Sequence, residues 1–287
     1  MKAKELLKKA REKGVAIGAF NVGNLETFKA ITQAAENLKS PVLIEASPGE
    51  AGFIGLKQLV YLARAYEDQI QLPVILNLDH GENVETILEA IKTGFDYVHY
   101  DGSKFSYEEN LENASIVVEE AHKKEVMVEG EIDHIEGSSA DHSRENTKMY
   151  SKPELFTDPR EAKEFVEKTG IDVFASFIGN LHGIYADIIH LNLDKLKEIS
   201  TALPHTYLSL HGGSGVYDDD VRNAIKMGIV KVNVNSELRV AFKMTLQEEI
   251  GKTTEIAPYK YMKRPIEEVQ KVVETKMKLF GSPELLK

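Results

Sequence analysis

The 287-residue sequence predicts an α/β protein built as a (β/α)8 TIM barrel, and three observations carry that reading. Short apolar runs rich in β-branched residues alternate with amphipathic stretches along the whole chain, which is the pattern of βα units around a parallel sheet. There are eight such runs, the number that closes a barrel, and the length is near the roughly 250 residues typical of one. An open doubly wound sheet would usually carry a glycine-rich dinucleotide loop after its first strand, and GAFNVGNLE holds no G-x-G-x-x-G.

In order, the expected strands are VAIGAFNV (15–22), PVLIEA (41–46), PVILNLD (73–79), YVHYDG (97–102), VMVEGEI (126–132), VFASFIG (173–179), YLSLHG (207–212) and KVNVNS (231–236). Amphipathic stretches at 25–38, 56–66, 84–92, 107–123, 159–168 and 218–227 supply the intervening helices. The N-terminal MKAKELLKKAREKG reads as a basic amphipathic helix with Leu6, Leu7 and Ala10 on one side, and it lacks the apolar segment of a secretory signal. The even spacing breaks once, at the polar stretch 133–158, which is too long for an ordinary βα loop and reads as a mobile lid. A further helix over 265–280 follows the eighth unit. No linker divides the chain, so a single barrel domain is expected over residues 1–287.

Composition narrows the chemistry. An apolar fraction of 42% and a charged fraction of 28% are those of a globular protein. With no cysteine, any metal ion must be held by histidines and carboxylates. The absence of cysteine also fits a cytoplasmic location. No run approaches the roughly 18 apolar residues of a membrane span, and a net charge of −11 disfavours nucleic acid.

Three of the strand endings, LNLDHG, IGNLHG and LSLHGGSG, run straight into a His-Gly pair. In a barrel of this kind the active site lies at the C-terminal ends of the strands, so His80, His182 and His211 converge there. Three imidazoles around a divalent ion leave positions for substrate oxygens, making the ion a Lewis acid toward a carbonyl. Asp79 is then placed for proton transfer, or for orienting a ligand histidine. Side chains alternate along a strand, so Asp79 and His80 face the same site only if the strand turns, and the turn is expected at Gly81. The run His211-Gly212-Gly213-Ser214-Gly215, followed by KVNVNSEL, has the character of a phosphate site after the last two strands, completed by a helix starting near Ser236. Asp101, Glu129 and Glu131 either hold a second cation or fix imidazole tautomers. His99, His122, His134, His142, His190 and His205 lack the strand-end context and are expected in surface or structural roles.

These residues resemble the class II, metal-dependent fructose-bisphosphate and tagatose-bisphosphate aldolases. AFNVGNLE, PVLIEASPGE, LNLDHG, DGSKF, VEGEI, IGNLHGIY, LSLHGGSG and KVNVNSEL occur in the family's order over nearly the whole chain. The resemblance implies that His80, His182 and His211 hold a catalytic Zn2+ and that Asp79 exchanges the proton of the hydroxyl at the cleavage point. It implies a phosphate end formed by Gly183, Gly212, Gly213, Ser214, Asn233, Val234, Asn235 and Ser236, with Asn21 and Ser47 nearby. Asp101 and Glu131 match secondary cation positions, and a monovalent cation (Na+ or K+) near the sixth and seventh strands is a family trait.

The implied reaction is reversible cleavage of fructose 1,6-bisphosphate to dihydroxyacetone phosphate and glyceraldehyde 3-phosphate. Tagatose 1,6-bisphosphate is the alternative substrate, and a non-catalytic sugar-phosphate-binding barrel the alternative from another class. Family lids commonly carry GG-E-E/D where this chain reads IEGSSADHSREN, leaving Glu136, Asp141 or Glu145 to handle the triose proton. Ala186 follows Tyr185, a tagatose-type trait, and Asn180, Leu181 and His99 are unusual choices for the family. The resemblance suggests a homodimer or homotetramer, with the 265–280 helix as the interface element.

Overall fold

The computed structural model describes residues 1–135, 137–142 and 153–287. Among the described residues there are ten strands: β1 (Ile17–Asn21), β2 (Val42–Ala46), β3 (Val74–Gly81), β4 (Tyr97–Asp101), β5 (Met127–Glu131), β6 (Gly137–Asp141), β7 (Val173–Ala175), β8 (His182–Ile184), β9 (Tyr207–Leu210) and β10 (Ile229–Val234). Eight of them close a parallel barrel in the order β1, β2, β3, β4, β5, β7, β9, β10 and back to β1. The remaining two, β6 and β8, form a small parallel sheet of their own. Much of the expected 133–158 lid lies outside the described residues; within it stand β6 and a short 3-10 turn at Pro153–Leu155.

The sixth expected strand, 173–179, needs correction. Its barrel strand stops at Ala175, because the backbone of Phe177 leaves the sheet to bond Thr157 in both directions. Gly179 then adopts a left-handed φ of 97°. His182 therefore does not sit at the exit of a barrel strand; it opens β8.

Helix formation follows local rules. At Leu25–Leu38, Asn24 accepts from the Thr27 amide (2.8 Å) and Thr27 Oγ1 accepts from the Asn24 amide (3.3 Å), closing a capping box. Phe28, Ile31, Ala34 and Ala35 form the buried stripe, and Lys39 ends the helix in a left-handed turn. The N-terminal helix, Ala3–Lys13, plugs the bottom of the barrel: Leu6, Leu7 and Ala10 pack on Ile17, Leu43, Ile75, Tyr97, Met127 and Val173, the early inward residues of six strands. The C-terminal helix runs Lys263–Phe280, with Val269, Val273, Met277 and Phe280 buried against its own barrel and the neighbouring helices at 25–38 and 236–252. The apolar face of the expected interface element is thus covered within the chain.

Above the apolar plug the interior turns polar. The register sets Asn21 beside Glu45, Glu45 beside Asn77, His99 beside Glu129 and Asp101 beside Glu131. Lys231, fully buried, puts its ammonium 2.8 Å from Glu45 Oε1 and 3.0 Å from Glu129 Oε2. Tyr97 and Ser209 hydroxyls also donate to Glu129, and the Asn77 amide donates to Glu45. Burial acts against every charge here, yet Lys231 is held above the usual lysine range and Glu129 well below the carboxylate range by their pairing. Glu45, pushed by burial and by Asp79 against the pull of Lys231, rises to about 8. Asn21, Asp101, Glu129 and Glu131 of this layer were expected from sequence, whereas Glu45, Asn77, Ser209 and Lys231 were not. The trace of these last four was there in their period-two placement, each two residues before a polar strand end or at one.

Candidate metal centre and active site

The open end of the barrel holds a cavity walled by Asn21, Ser47, Asp79, His80, Asp101, His182, Gly183, Gly212, Ser214, Asn233, Asn235 and Ser236, all expected from sequence, and by Glu82, His134, Ile135 and Arg239, which were not. Gly213 and Val234 are the two expected phosphate residues absent from that wall. The Gly213 amide is engaged with the Asn233 carbonyl (2.9 Å), and Val234 is buried in the apolar core. Of the three lid candidates, Glu136, Glu145 and the Asp141 side chain lie outside the described residues.

The strand does turn to bring Asp79 and His80 to one site, but the turn falls on His80 and not on Gly81. His80 has a φ of 50°, and the pairing of β3 with β4 shifts register between Leu78 and Gly81. A non-glycine residue in the left-handed region is uncommon and requires surrounding contacts to hold it. Gly81 has its own reason to be glycine: a Cβ there would lie 2.7 Å from the Ile87 side chain and 3.1 Å from the His99 carbonyl oxygen.

The hydrogen-bond partners assign the tautomers. His80 donates Nδ1–H to Asp101 Oδ2 (2.9 Å), His182 donates Nδ1–H to the Ile135 carbonyl (3.2 Å), and His211 donates Nε2–H to Glu129 Oε1 (2.6 Å). Each ring thereby leaves its other nitrogen to face a proton or a cation. His80 Nε2 and His211 Nδ1 stand 2.9 Å apart, and the His182 ring lies 4.9 Å from that of His80 and 6.0 Å from that of His211. Two lone pairs in hydrogen-bond contact repel unless a proton or a cation lies with them.

The charges point the same way. Burial would lower the His80 pKa, but Asp79 and Asp101 lift it to about 9, while burial drives His211 to about 4 and His182 well below the imidazole range. Asp79, which burial alone would push up, is held well below the carboxylate range by His80, His99 and His211. Glu131 is the opposite case: burial, then Asp101, raises it far above that range, and neither of its oxygens has a partner. An anionic, imidazole-rich, largely buried pocket whose Glu131 oxygens have no hydrogen-bond partner among the described residues fits a divalent cation.

The tightest groups of donor atoms among the described residues are Asp79, His80, His99 and His211, and His80, Asp101 and Glu131, each within 4.8 Å. His182 belongs to neither, though it adjoins both rings. His99, expected in a surface or structural role, is fully buried at the centre of the cluster. The signal was its position two residues before Asp101 on the inward face of the same strand.

Around Asp79 the carboxylate is fixed from two sides: Asn21 donates to Oδ2 and Asn233 to Oδ1, both at 3.1 Å. Asn21 and Asn233, expected near the substrate, therefore also orient this carboxylate. Ser47 caps the helix Pro48–Ile54, its amide and hydroxyl both donating to Glu50 (2.9 Å), and Glu50 in turn accepts from Arg239 (2.7 Å). Opposite, the chain leaves β9 through Gly212 at a φ of 62°, so close to the Leu181 carbonyl oxygen that a Cβ would stand 2.2 Å from it. Gly212 and Ser214 then face Asn235, Ser236 and the start of the helix Ser236–Lys252. A helix N-terminus beside a glycine turn and two hydroxyls suits an anion such as phosphate.

Among the described residues no helix is long and apolar enough to cross a membrane. Residues 1–284 match the family model described as "Fructose-bisphosphate aldolase class-II". A Bacillus subtilis (strain 168) protein named probable fructose-bisphosphate aldolase is 38% identical over 284 residues, covering 97% of this chain and 96% of its own. The fructose-bisphosphate aldolase of Thermus caldophilus is 35% identical over 302 residues, covering 97% of each. Among solved structures, the YdjI aldolase from Escherichia coli K12 superposes with a TM-score of 0.83 at 31% identity, over 99% of this chain and 98% of that one. With its barrel, its imidazole and carboxylate cluster and this similarity along its length, the chain belongs to the class II fructose-bisphosphate aldolase family and is an aldehyde-lyase.

Proposed function

We propose that this aldolase cleaves fructose 1,6-bisphosphate to dihydroxyacetone phosphate and glyceraldehyde 3-phosphate, with Zn2+ held by His80, His182 and His211. The observation that carries the reading is the 2.9 Å contact of the His80 and His211 nitrogens, with the His182 ring 4.9 Å from that of His80, beside a doubly anchored Asp79 and across a cavity from the Gly212 to Ser214 turn. The printed names of the relatives support the choice of sugar.

Bound zinc supplies positive charge against which the electrons of the broken C–C bond are held, through polarisation of the ketose carbonyl. The chain's own residues do the rest. Asp79 stays ionised and accepts the proton of the C4 hydroxyl, while the Asn21 and Asn233 amides keep its two oxygens aimed. Loss of that proton forms the aldehyde at C4 as the C3–C4 bond breaks. Gly212, Ser214, Asn235, Ser236 and the helix start bind one phosphate, fixing the carbonyl end relative to Asp79. Arg239, a cavity-wall residue bonded to Glu50, is assigned in this reading to the second phosphate, at the far end of the sugar. In this reading the enzyme is a homodimer or homotetramer that acts in the cytoplasm on small phosphorylated sugars.

The test is cleavage of fructose 1,6-bisphosphate and tagatose 1,6-bisphosphate by metal-stripped chain with and without added zinc. The reading expects zinc-restored cleavage with the higher kcat/KM on the fructose ester. Equal or reversed preference removes the fructose assignment, and absence of cleavage on either sugar removes the aldol reaction.

A further inference from the structure

The arrangement at His80 poses a problem that the three-histidine reading does not solve. Alternation along β3 would send Asp79 and His80 to opposite faces, and the left-handed φ at His80 is what brings both to the cavity. The same register shift takes the His80 backbone N–H out of the pairing with β4. A buried N–H left without an acceptor is costly, so something must receive it. The acceptor is the Nδ1 of His99, 3.2 Å away.

His99 is placed for this by the strand beside it. It lies on the inward face of β4 between Tyr97 and Asp101, is fully buried, and its ring stands edge-on to those of His80 (4.6 Å) and His211 (4.8 Å). With Nδ1 accepting, the ring proton sits on Nε2, which has no hydrogen-bond partner among the described residues and faces Glu131 Oε2 at 3.9 Å, an oxygen that also lacks one among them.

We infer that His99 is a positioning residue: its Nδ1 locks the left-handed turn that sets the His80 imidazole and the Asp79 carboxylate on one face, and its Nε2–H is directed at Glu131. The inference rests on the proposed metal-dependent function and adds to it a fourth imidazole that shapes the centre without being one of its three ligands. His99 is not on the cavity wall and acts through His80, Glu131 and Asp79, whose Oδ1 lies 3.9 Å from its Nδ1, so its loss alters how well the centre is assembled and leaves sugar binding alone.

Three substitutions separate the two ring nitrogens. His99→Asn keeps an acceptor at the Nδ1 position, His99→Gln keeps a polar group near the Nε2 position, and His99→Leu keeps neither. The full-length chain of each is stripped of metal, checked for folding by circular dichroism, and titrated with Zn2+, and its Co2+ form is examined for visible absorption.

The expected result is Zn2+ affinity about tenfold or more weaker in His99→Leu and His99→Gln, the range typical of losing a group that orients a ligand. His99→Asn stays within about threefold of the unsubstituted chain by the same reasoning. The Co2+ spectrum is expected to change in His99→Leu and His99→Gln and to be restored in His99→Asn, with kcat falling in the first two while KM for the sugar holds. Unchanged affinity and spectrum in His99→Leu overturn the inference, as does a His99→Asn chain as weak as His99→Gln, which still decides the matter if His99→Leu does not fold. An unsubstituted chain that binds no Zn2+ overturns the functional reading and this inference together; one that binds it while the variants are indistinguishable overturns this inference alone.

Discussion

His80 Nε2 and His211 Nδ1 face each other at 2.9 Å while the opposite nitrogen of each ring is committed to a carboxylate, Asp101 for the first and Glu129 for the second. Neutral rings in these tautomers present two lone pairs to one another. The folded barrel thus assembles an electron-rich point that a cation satisfies, and it does so from two strands that are not neighbours in the barrel, β3 and the exit of β9.

Asp79→Ala removes the proton acceptor without touching an imidazole. Turnover is expected to fall by roughly 10²–10⁴, the contribution typical of one acid–base group, while bound metal measured by emission spectroscopy stays near one equivalent. Full activity in this variant would take the proton transfer away from Asp79.

His211→Ala removes a lone pair and uncovers Glu129 at once. Metal content after dialysis is expected to drop to background, with turnover lost in parallel. Retained metal would mean that the ion is held by a different set, of which His80, Asp101 and Glu131 are the nearest.

Lys231→Met leaves Glu45 and Glu129 buried without their shared cation. Breaking a buried pair from one side costs about 3–5 kcal/mol, so the metal-free chain is expected to melt markedly lower in calorimetry. Adding Glu129→Gln should return part of that loss, since Glu129 is the carboxyl held ionised by Lys231, whereas Glu45 already sits at about 8. A melting temperature within a degree of the original would show that the network does not carry the interior.

Arg239→Ala tests the far end of the cavity. A charge-assisted bond is worth about 1.5–3 kcal/mol, which corresponds to roughly a tenfold to hundredfold rise in KM for the bisphosphate with kcat less affected. A sugar bearing a single phosphate at the dihydroxyacetone end should be cleaved equally by both forms; a selective loss on that sugar would place Arg239 at the other phosphate.

What could be read from the chain, and what could not, follows from how far each feature reaches in sequence. The barrel strands were legible because each carries its own apolar run, and the helices because their stripes repeat within a dozen residues. His80 and His211 were legible because a His-Gly pair at a strand exit is a local signal. His182 has the same local signal, yet Thr157 draws the chain out of the barrel at Phe177, and no pattern within 173–183 announces a partner some twenty residues away. His99 carries no strand-end signal, because it lies one layer deeper on the inward face of β4. Lys231 and Glu45, distant in sequence and adjacent across the barrel interior, are joined only by closure of the sheet. The backbone turn at His80 was expected one residue late, since the glycine beside it is the usual site of a positive φ and here serves close packing against Ile87.

The measurement that bears most directly on the account is the metal dependence of cleavage. The chain is stripped with a chelator, shown to be folded, and assayed for dihydroxyacetone phosphate release from fructose 1,6-bisphosphate before and after one equivalent of Zn2+. The account predicts no release from the stripped chain, restoration by zinc, and no restoration in His80→Ala. Cleavage that persists undiminished after the metal is gone would contradict it.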